Sequence, residues 1–573
     1  LRRLQKMPNN DFSRFTSLPA DSKKPRSTWM MPARVTSSLN AGKLVPIGMP
    51  IDVMPGDTIS LDQGLFMRMS TPIHPVMDDC FIDVHWYFVP LRLVWDNYDK
   101  FFGANDDPWA QETEYQVPQI ASPIAGDGYA PGMSTFPTSA SGRGFGAGSV
   151  ADYMGLPTLV PSPVRDGVPT CTVGALRFRA YAKIWNDYYR DENLQKAIDI
   201  PKDDVTRQGA SNFGDPLLNA VYGGPLLPVA KYHDYFTSAL PEPQKGPEVI
   251  VPLQSQEGSI VSTGDLGFTF GGQSATVYGQ STIGDDVMTG LYAQTGQNNP
   301  GGPIAYESGL GISEDAFVGP TINALREAFA IQRIYELDAL FGTRYNESVR
   351  AHFGVTVPDY RAQRAEYIGG THIRVNMSQV LQTSSTDETS PQGNTAAFSA
   401  TGDRGHMFTY SVVEHGFIMG MIMVRNVQSY QQGINRAWLR KRRFDFYTPE
   451  LANLGNQPVY NDEIYHSVDP QLNGETFGFQ EAWADYRYIP ALKTGAMRSN
   501  RPGGGLDVWH YADYYDRLPV LGPQWIQATA ANIDRTLAVS SELEDQFIYD
   551  FDLNFKVVRP MPVYSTPGGL FHH

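Results

Sequence analysis

The chain has 573 residues, a formal net charge of −16 and two cysteines. Two cysteines cannot make a disulfide framework or a Cys-based zinc site, so a reducing compartment is the simpler inference. Charged residues make up 18% of the chain and aromatic residues 12%, while Gly and Pro together form about a sixth of it. This composition favours a loop-rich β protein that buries much of its surface against neighbours, and it would equally suit a secreted β-sheet enzyme.

No segment has the character of a membrane span or a secretion signal. The richest apolar run is Phe417 to Val424, well short of the ~18 residues that a membrane helix needs. The first residues, LRRLQKMPNNDF, carry charges with no apolar segment after them, so they do not form a secretory signal. We expect no insertion into a membrane.

The amino-terminal part of the chain is basic. Residues 1 to 34 contain eight basic residues and two acids. We predict a basic arm over residues 1–40, and Arg2, Arg3 and Lys6 are its candidate contacts to nucleic acid.

Hydrophobic periodicity predicts several strands. Alternation with a period of two occurs at residues 59–69, 80–88 and 547–557, which indicates one buried and one solvated face in each. Phe417 to Val424 is apolar throughout and is typical of a strand covered on both faces. Strands near both chain ends, separated by hundreds of residues, imply pairing between distant segments, as in a Greek-key or jelly-roll sandwich.

Helical periodicity is confined to the middle of the chain. The stripes predict a helix over 176–198 and helices within 321–353, with Gly342 as a C-cap. Before the first of these helices, 119–150 is predicted to be a loop. Residues 254–319 contain 14 glycines, seven acids and no Lys or Arg, so they have no electrostatic reason to approach nucleic acid. We predict that they form an acidic insertion that projects outward.

No group of residues in the sequence forms an active site. The adjacent acids Asp106–Asp107 and Asp285–Asp286 suit a calcium site only if other ligands join them, and neighbouring carboxylates in loops are usually just hydrated. His415 is more simply a hydrogen-bonded structural residue. We assign no catalytic residue, no metal site and no cofactor.

Residues 430 to 447, YQQGINRAWLRKRRFDFY, form the most informative segment. A concentrated basic and aromatic segment on an acidic chain indicates contact with a polyanion. A solvated, salt-bridged segment or an anchor at a subunit interface would have the same sequence. The candidate nucleic-acid contacts of this segment are Arg436, Trp438, Arg440, Lys441, Arg442 and Arg443.

Several long blocks resemble the major capsid protein of the Microviridae, small bacteriophages with single-stranded DNA, and the gokushovirus branch in particular. Besides 430–447, these blocks are HDYFTSALPEPQKGP (233–247), TRYNESVRAHFGV (343–355), YSVVEHGFIMG (410–420) and VVRPMPVYSTPG (557–568). The resemblance implies an all-β, eight-stranded viral jelly roll with large loop and helical insertions. Its first part would be 41–253 and its remainder 320–573. It also implies assembly through pentamers into a sixty-copy T=1 icosahedral shell around circular single-stranded DNA.

The resemblance implies further partners. These are a small basic DNA-packaging protein, an internal scaffolding protein, a minor DNA pilot protein and a receptor on the bacterial host, with assembly in the host cytoplasm and the mature protein in the virion. In the gokushovirus branch an insertion after the segment matching Asp234 to Leu253 rises at the threefold axes. The acidic 254–319 segment would be that insertion, although Glu242 stands where the family suggests an aromatic residue. The candidate host contacts are Asp265, Asp285, Asp286 and Tyr292.

Two other functions fit parts of the sequence. An extracellular carbohydrate-binding or carbohydrate-active β-sandwich would need a convergent acid pair or metal cluster and usually a signal peptide. A monomeric single-stranded DNA-binding module would normally be basic overall, whereas this chain has a pI of about 5.1. A shell-forming subunit accounts for the acidic whole, the basic minority and the many aromatic residues together.

Overall fold

The computed structural model describes residues 26–104, 115–121, 145–158, 172–210, 214–249, 321–384, 386, 391–393, 395–499 and 501–564. Between residues 254 and 318 it describes the backbone of the strands alone. The chain divides into two units, the first formed by Leu1–Pro243 with Ala339–His573 and the second by Gln244–Asp338.

Most regular structure in the described residues is β-strand. The strands are β1 Ser27–Leu39, β2 Val45–Pro46, β3 Ile51–Val53, β4 Thr58–Met69, β5 Cys80–Pro90, β6 Gln119–Ala121, β7 Thr172–Gly174, β8 Arg207–Gln208, β9 Gln254–Ser255, β10 Ile260–Phe270, β11 Gln273–Ser274, β12 Thr276–Ile283, β13 Asp286–Gln294, β14 Ala305–Ile312, β15 Phe317–Val318, β16 Glu366–Arg374, β17 Met377–Leu381, β18 Thr395–Ser399, β19 Thr401–Ser411, β20 Gly416–Asn426, β21 Asn456–Tyr460, β22 Thr476–Glu481 and β23 Phe547–Arg559.

Helices are mostly short. They are α1 Tyr98–Phe101, α2 Val150–Tyr153, α3 Leu176–Ile184, α4 Pro216–Asn219, α5 Ile322–Phe341, α6 Tyr345–Phe353, α7 Arg436–Leu439, α8 Asn461–Ile464, α9 Pro470–Gly474 and α10 Ala531–Asp534. A π-helical turn, Trp185–Tyr189, continues α3. Short 3₁₀ turns occupy Leu91–Leu93, Ala220–Tyr222, Arg443–Asp445, Pro449–Leu451, Ala484–Tyr486, Gly495–Met497 and Asp507–Trp509.

A four-stranded antiparallel sheet brings the two ends of the chain together. Its order is β1-β23-β4-β19. All thirteen residues of β1 pair with β23, from Ser27 opposite Arg559 to Leu39 opposite Phe547. The predicted pairing of distant segments is therefore confirmed. Ser27–Leu39, within the basic arm predicted over residues 1–40, is thus a strand of this sheet, and residues 1–25 of the arm lie outside the described residues.

A second antiparallel sheet lies against the first. Its order is β16-β5-β20-β2, and β3 also pairs with β20. Alternate side chains of β4 and β23 pack against β5 and β20 across a shared apolar core. Burial on one face and exposure on the other follow the period of two read from the sequence. The first unit is thus a sandwich-like pair of antiparallel sheets with helical insertions.

β20 is buried on both faces, as its apolar sequence predicted. Ile418, Ile422 and Val424 face the core between the sheets. Met419 and Met421 face the other way and pack with α3 and the segments around it. The Tyr181 hydroxyl of α3 donates to the carbonyl of Leu44 at 2.7 Å, which fixes the helix on this face of the sheet.

The helix predicted over 176–198 is shorter in the structure. α3 and its π-helical turn end at Tyr189, and Arg190 is extended. Oδ1 of Asp191 accepts the backbone N–H groups of Asn193 and Leu194, each at 2.9 Å. An aspartate that binds its own downstream backbone competes with helix continuation, and this explains why the helical pattern beyond Tyr189 was misleading.

The helices predicted within 321–353 are present as α5 and α6. Gly342, between them, has φ of +94°, a left-handed conformation that glycine adopts without strain. The predicted loop 119–150 contains β6 at its start and the first residue of α2 at its end, and 122–144 lie outside the described residues. None of the described helices has the length and hydropathy required to cross a membrane.

The second unit contains the predicted acidic insertion. Its strands form three small antiparallel arrangements, β11-β10-β14, β12-β13 and β15-β9. β10 pairs with β14 from Ile260 opposite Ile312 to Thr269 opposite Ala305, with irregular register near Gly267. The insertion is therefore built from hairpin-like pairs and not from extended loop alone.

Candidate nucleic-acid interface

The basic segment lies in the long connection between β20 and β23. Asn435 caps α7, since its side chain accepts the backbone N–H of Ala437 at 2.9 Å. The helix has one turn and ends at Leu439, and Arg440 is extended. The basic residues therefore occupy a short helix, an extended link and a 3₁₀ turn, and they do not share one helical face.

Arg436 is held inside the protein. Its Nη1 donates to Oε1 of Glu463 at 3.2 Å and to the carbonyl of Pro458 at 2.7 Å. Glu463 is buried and also accepts from the Tyr235 hydroxyl at 3.0 Å. Burial raises the pKa of Glu463, and the charge of Arg436 opposes that increase. Arg436 thus balances a buried carboxylate.

Arg440 also has a protein partner. It forms an ion pair with Asp485, and both side chains are largely buried. Its guanidinium lies 4.1 Å from the ring centroid of Tyr486 and 5.7 Å from that of Phe446. A planar guanidinium between a carboxylate and aromatic rings is a stable arrangement, so Arg440 anchors the segment to the protein.

The next three basic residues point into solvent. Oδ2 of Asp445 accepts the backbone N–H groups of Lys441 at 2.8 Å and Arg442 at 2.7 Å. These two hydrogen bonds lower the pKa of Asp445 and fix the turn. The side chains of Lys441, Arg442 and Arg443 are exposed, and none has an ion pair within the described ranges. Three adjacent cations are therefore available to a ligand.

Exposed aromatic side chains flank these cations in the sequence. Trp438 is 83% exposed and Phe444 is 73% exposed. Exposed rings of this size cost free energy in water unless a partner covers them. Unpaired nucleic-acid bases stack on such rings, and each stacked base contributes about 1–3 kcal/mol. Phosphate binding and base stacking are both within reach of this surface.

The structure separates the predicted contacts into two groups. Lys441, Arg442, Arg443 and Trp438 lie at the surface, whereas Arg436 and Arg440 are engaged by Glu463 and Asp485. Sequence analysis missed these two acids because they lie 27 and 45 residues away from their partners. No local pattern marks such a pairing.

Several other predicted residues lie outside the described part of the chain. These are Arg2, Arg3 and Lys6 of the arm, Asp285 of the insertion and the acids Asp106 and Asp107. Asp265, Asp286 and Tyr292 fall in β10 and β13, whose side chains are not described. Their assignment as host contacts stays a prediction.

His415 and Cys80 are packed against the protein in ways that indicate structural roles. The imidazole of His415 stacks on Phe102 with ring centroids 4.1 Å apart. Cys80 is a free, buried thiol whose pKa is raised by burial, so it is a poor nucleophile. No group of three or more His, Cys, Asp or Glu residues suited to a metal ion occurs among the residues with described side chains.

Comparison with known proteins identifies the family. The model of the family described as Capsid protein (F protein) matches residues 19–569. Capsid protein VP1 of Chlamydia phage 1 is 36% identical over 623 aligned positions, which cover 98% of this chain and 99% of that protein. Capsid protein VP1 of Spiroplasma virus 4 is 38% identical, covering 98% of this chain and 97% of that protein. Capsid protein VP1 of Bdellovibrio phage phiMH2K is 37% identical, covering 90% of each. The chain therefore belongs to the phage capsid protein (F protein) family, the family that its sequence blocks resemble.

Proposed function

We propose that this protein is the repeating subunit of a phage shell. It folds as an eight-stranded viral jelly roll, assembles through pentamers into a sixty-copy T=1 icosahedral particle, and encloses circular single-stranded DNA. Membership of the capsid family makes it a structural protein and not an enzyme, so the carbohydrate-active alternative is discarded. The extent of the matches, with 97% or more of two relatives covered, supports the role of a capsid subunit.

The order of the strands supports the jelly roll. β2 and β3 both pair with β20 and count as one interrupted strand. The two sheets then contain four strands each, ordered β1-β23-β4-β19 and β16-β5-β20-β2/β3. Strands that are consecutive in the chain alternate between the sheets in several places, as Greek-key connections require. Both sheets contribute to a single core.

The three exposed cations carry the proposal of genome contact. Lys441, Arg442 and Arg443 lie on a protein with a net charge of −16, and their side chains form no ion pair with any acid whose side chain is described. Their charges would bind phosphates, while Trp438 and Phe444 would stack on unpaired bases. This surface would line the inside of the shell, and the acidic insertion would face outward toward a host receptor.

Further partners follow from the charge balance and the family. An acidic subunit neutralises little of a polyanionic genome, so a small basic packaging protein would supply the remaining charge. An internal scaffolding protein and a minor DNA pilot protein would complete the assembly in the host cytoplasm.

Replacing Lys441, Arg442 and Arg443 together with Gln tests the genome contact. Arg440 is left intact because its loss would strand the Asp485 carboxylate. Each phosphate contact to a single strand contributes about 0.7 to the slope of log affinity against log salt. For a single-stranded oligothymidylate we expect the magnitude of this slope to decrease by about 2. Fluorescence anisotropy across a salt titration measures it.

The control is Arg404→Gln with Lys556→Gln, two exposed cations on the solvent face of the four-stranded sheet. An unchanged slope in the triple variant would contradict the genome contact. If the triple variant also stops assembling into particles, the segment is instead an anchor between subunits.

A further inference from the structure

A second group of uncompensated cations lies in the same long connection as the basic segment. Several arginines there are engaged by the protein. Arg487 pairs with Glu481 at 2.7 Å, and Arg535 donates to the carbonyls of His510 and Ala512 at 3.0 and 2.8 Å. In contrast, Arg498 and Arg501 are exposed and form no ion pair with any acid whose side chain is described.

These two arginines lie on a loop with fixed ends, which we name the second basic loop (496–499 and 501–506). Its ends meet where the N–H of Leu506 donates to the carbonyl of Ala496 at 2.7 Å. Within it the backbone approaches itself closely, because a Cβ on Gly505 would lie 2.7 Å from the carbonyl oxygen of Arg498. Gly503 and Gly504 have φ of +88° and +98°, which side chains other than glycine rarely tolerate.

Buried polar groups attach the loop to the body of the protein. The Gln431 side chain donates to Oγ of Ser499 and accepts from its N–H, both at 2.9 Å. The His510 Nε2–H donates to the carbonyl of Met497 at 2.6 Å. Gln431 and His510 are both buried. Arg498 and Arg501 are therefore presented from a supported position, which lowers the entropy cost of binding a ligand.

One short segment joins the second basic loop to the first group of cations. Gln431 holds Ser499, and five residues later Arg436 begins α7, which leads to Lys441. Five extended residues span at most about 18 Å. The attachment point of the second basic loop thus lies within about 18 Å of the start of the helix that leads to Lys441.

We propose that Arg498 and Arg501 form a second contact for the backbone phosphates of single-stranded nucleic acid, continuing the surface of Lys441, Arg442 and Arg443. This inference rests on the proposed genome contact. Since arginine binds phosphate oxygens with two parallel donors, and phosphate contacts carry no sequence information, the contact is independent of sequence. Two separated cationic groups would hold a strand along a defined path.

Replacing Arg498 and Arg501 together with Gln tests the inference in the full chain. The probe is the same fluorescein-labelled oligothymidylate, and the control is again Arg404→Gln with Lys556→Gln, which also removes two exposed positive charges. Loss of two phosphate contacts decreases the magnitude of the slope of log affinity against log salt by about 1.4 relative to that control. A slope equal to that of the control overturns the inference.

The two variants test the two proposed contacts separately. If the loop variant lowers the slope and the Lys441, Arg442 and Arg443 variant does not, the second loop stands and the first contact is wrong. If neither lowers it, both are wrong.

A measurement on the unaltered protein guards against misfolding of the variant. Phenylglyoxal modifies exposed arginines, and mass spectrometry locates the adducts. Oligothymidylate protects Arg498 and Arg501 from modification if they bind it, whereas Arg404 stays reactive. Equal reactivity of all three arginines with and without the oligonucleotide overturns the inference.

Discussion

Arg436 shows how a residue that resembles a ligand contact can serve the fold. The carboxylate of Glu463 is 97% buried, and the guanidinium of Arg436 supplies its compensating charge. The hydroxyl of Tyr235 and the backbone N–H of Tyr460 complete its hydrogen bonds. A buried charge without its partner costs several kcal/mol. Arg436 therefore stabilises the protein chiefly because its removal would leave the buried carboxylate of Glu463 without a compensating charge.

Replacing Arg436 with Gln should destabilise the protein strongly. We expect a loss of about 3 kcal/mol or more in the free energy of unfolding, since breaking a buried ion pair costs about 3–5 kcal/mol. Urea denaturation followed by tryptophan fluorescence measures this loss. The matched control is Arg442→Gln, which removes an exposed guanidinium six residues away and should stay within about 0.5 kcal/mol of the parent.

A double variant separates the pair from its surroundings. Arg436→Gln combined with Glu463→Gln leaves no buried charge, so part of the lost stability should return. If Arg436→Gln alone is as stable as Arg442→Gln, the buried carboxylate does not depend on Arg436.

Among the elements, β20 and β5 fit together because a glycine of β20 leaves room for an indole ring of β5. Gly420 lies opposite Trp86 in the register of these strands. A Cβ on Gly420 would lie 2.8–2.9 Å from three atoms of the Trp86 ring. The indole is fully buried, and its N–H donates to Oε1 of Gln63 at 2.9 Å. Because Gln63 belongs to β4 of the facing sheet, this hydrogen bond fixes the ring between the two sheets. The buried ring cannot move aside for an added methyl group.

The variant Gly420→Ala should therefore overpack the core. We expect destabilisation of about 1–3 kcal/mol, typical of an added methyl group in a close-packed site. The control is Gly402→Ala in β19, where the nearest atom to the new Cβ is 3.8 Å away. Thermal unfolding of both variants measures the difference, and equal melting temperatures would contradict the proposed steric conflict.

The strands were the most predictable elements. The period-two patterns at 59–69, 80–88 and 547–557 correspond to β4, β5 and β23 within two residues at each end. Their pattern survives because each strand has one face in the shared core. The helix after Leu176 was overextended because helical spacing continues in the sequence, while Asp191 redirects the backbone.

The sequence predicted where the candidate site lies in the chain, but not which of its basic side chains are free to bind a ligand. Local composition located the basic segment, since charge density is a property of neighbouring residues. Which arginines remain free depends on acids that folding brings from elsewhere, as Asp485 is brought to Arg440. Sequence analysis did not predict the second basic loop, because two arginines near several glycines do not form a dense cluster of charge. Only the folded structure shows that these arginines form no ion pair with the described acids.

For the molecule as a whole, charge is divided among segments. Residues 254–319 contain acids and no Lys or Arg, while the free cations discussed above lie between β20 and β23. A shell built from such subunits could present opposite charge to the genome and to the exterior. The insertion would then be dispensable for closure of the shell and needed at the host surface.

Deletion of residues 265–310 tests this division. The cut removes the distal parts of β10 and β14 and keeps Ile260 opposite Ile312 and Val261 opposite Gly311. We expect particles of normal size in electron micrographs and loss of adsorption to host cells. The parent particle is the control for both measurements. Failure to form particles would mean that the insertion contributes to subunit contacts.

The position of β23 constrains when this protein can fold. β23 is the last described strand in the chain, yet it lies inside its sheet, between β1 and β4. A ribosome therefore releases β1 and β4 long before the strand that joins them exists. Nascent or prematurely terminated chains lack the middle of a sheet and expose two long unpaired edges. Only a chain translated through residue 559 can complete the four-stranded sheet and so close the sandwich.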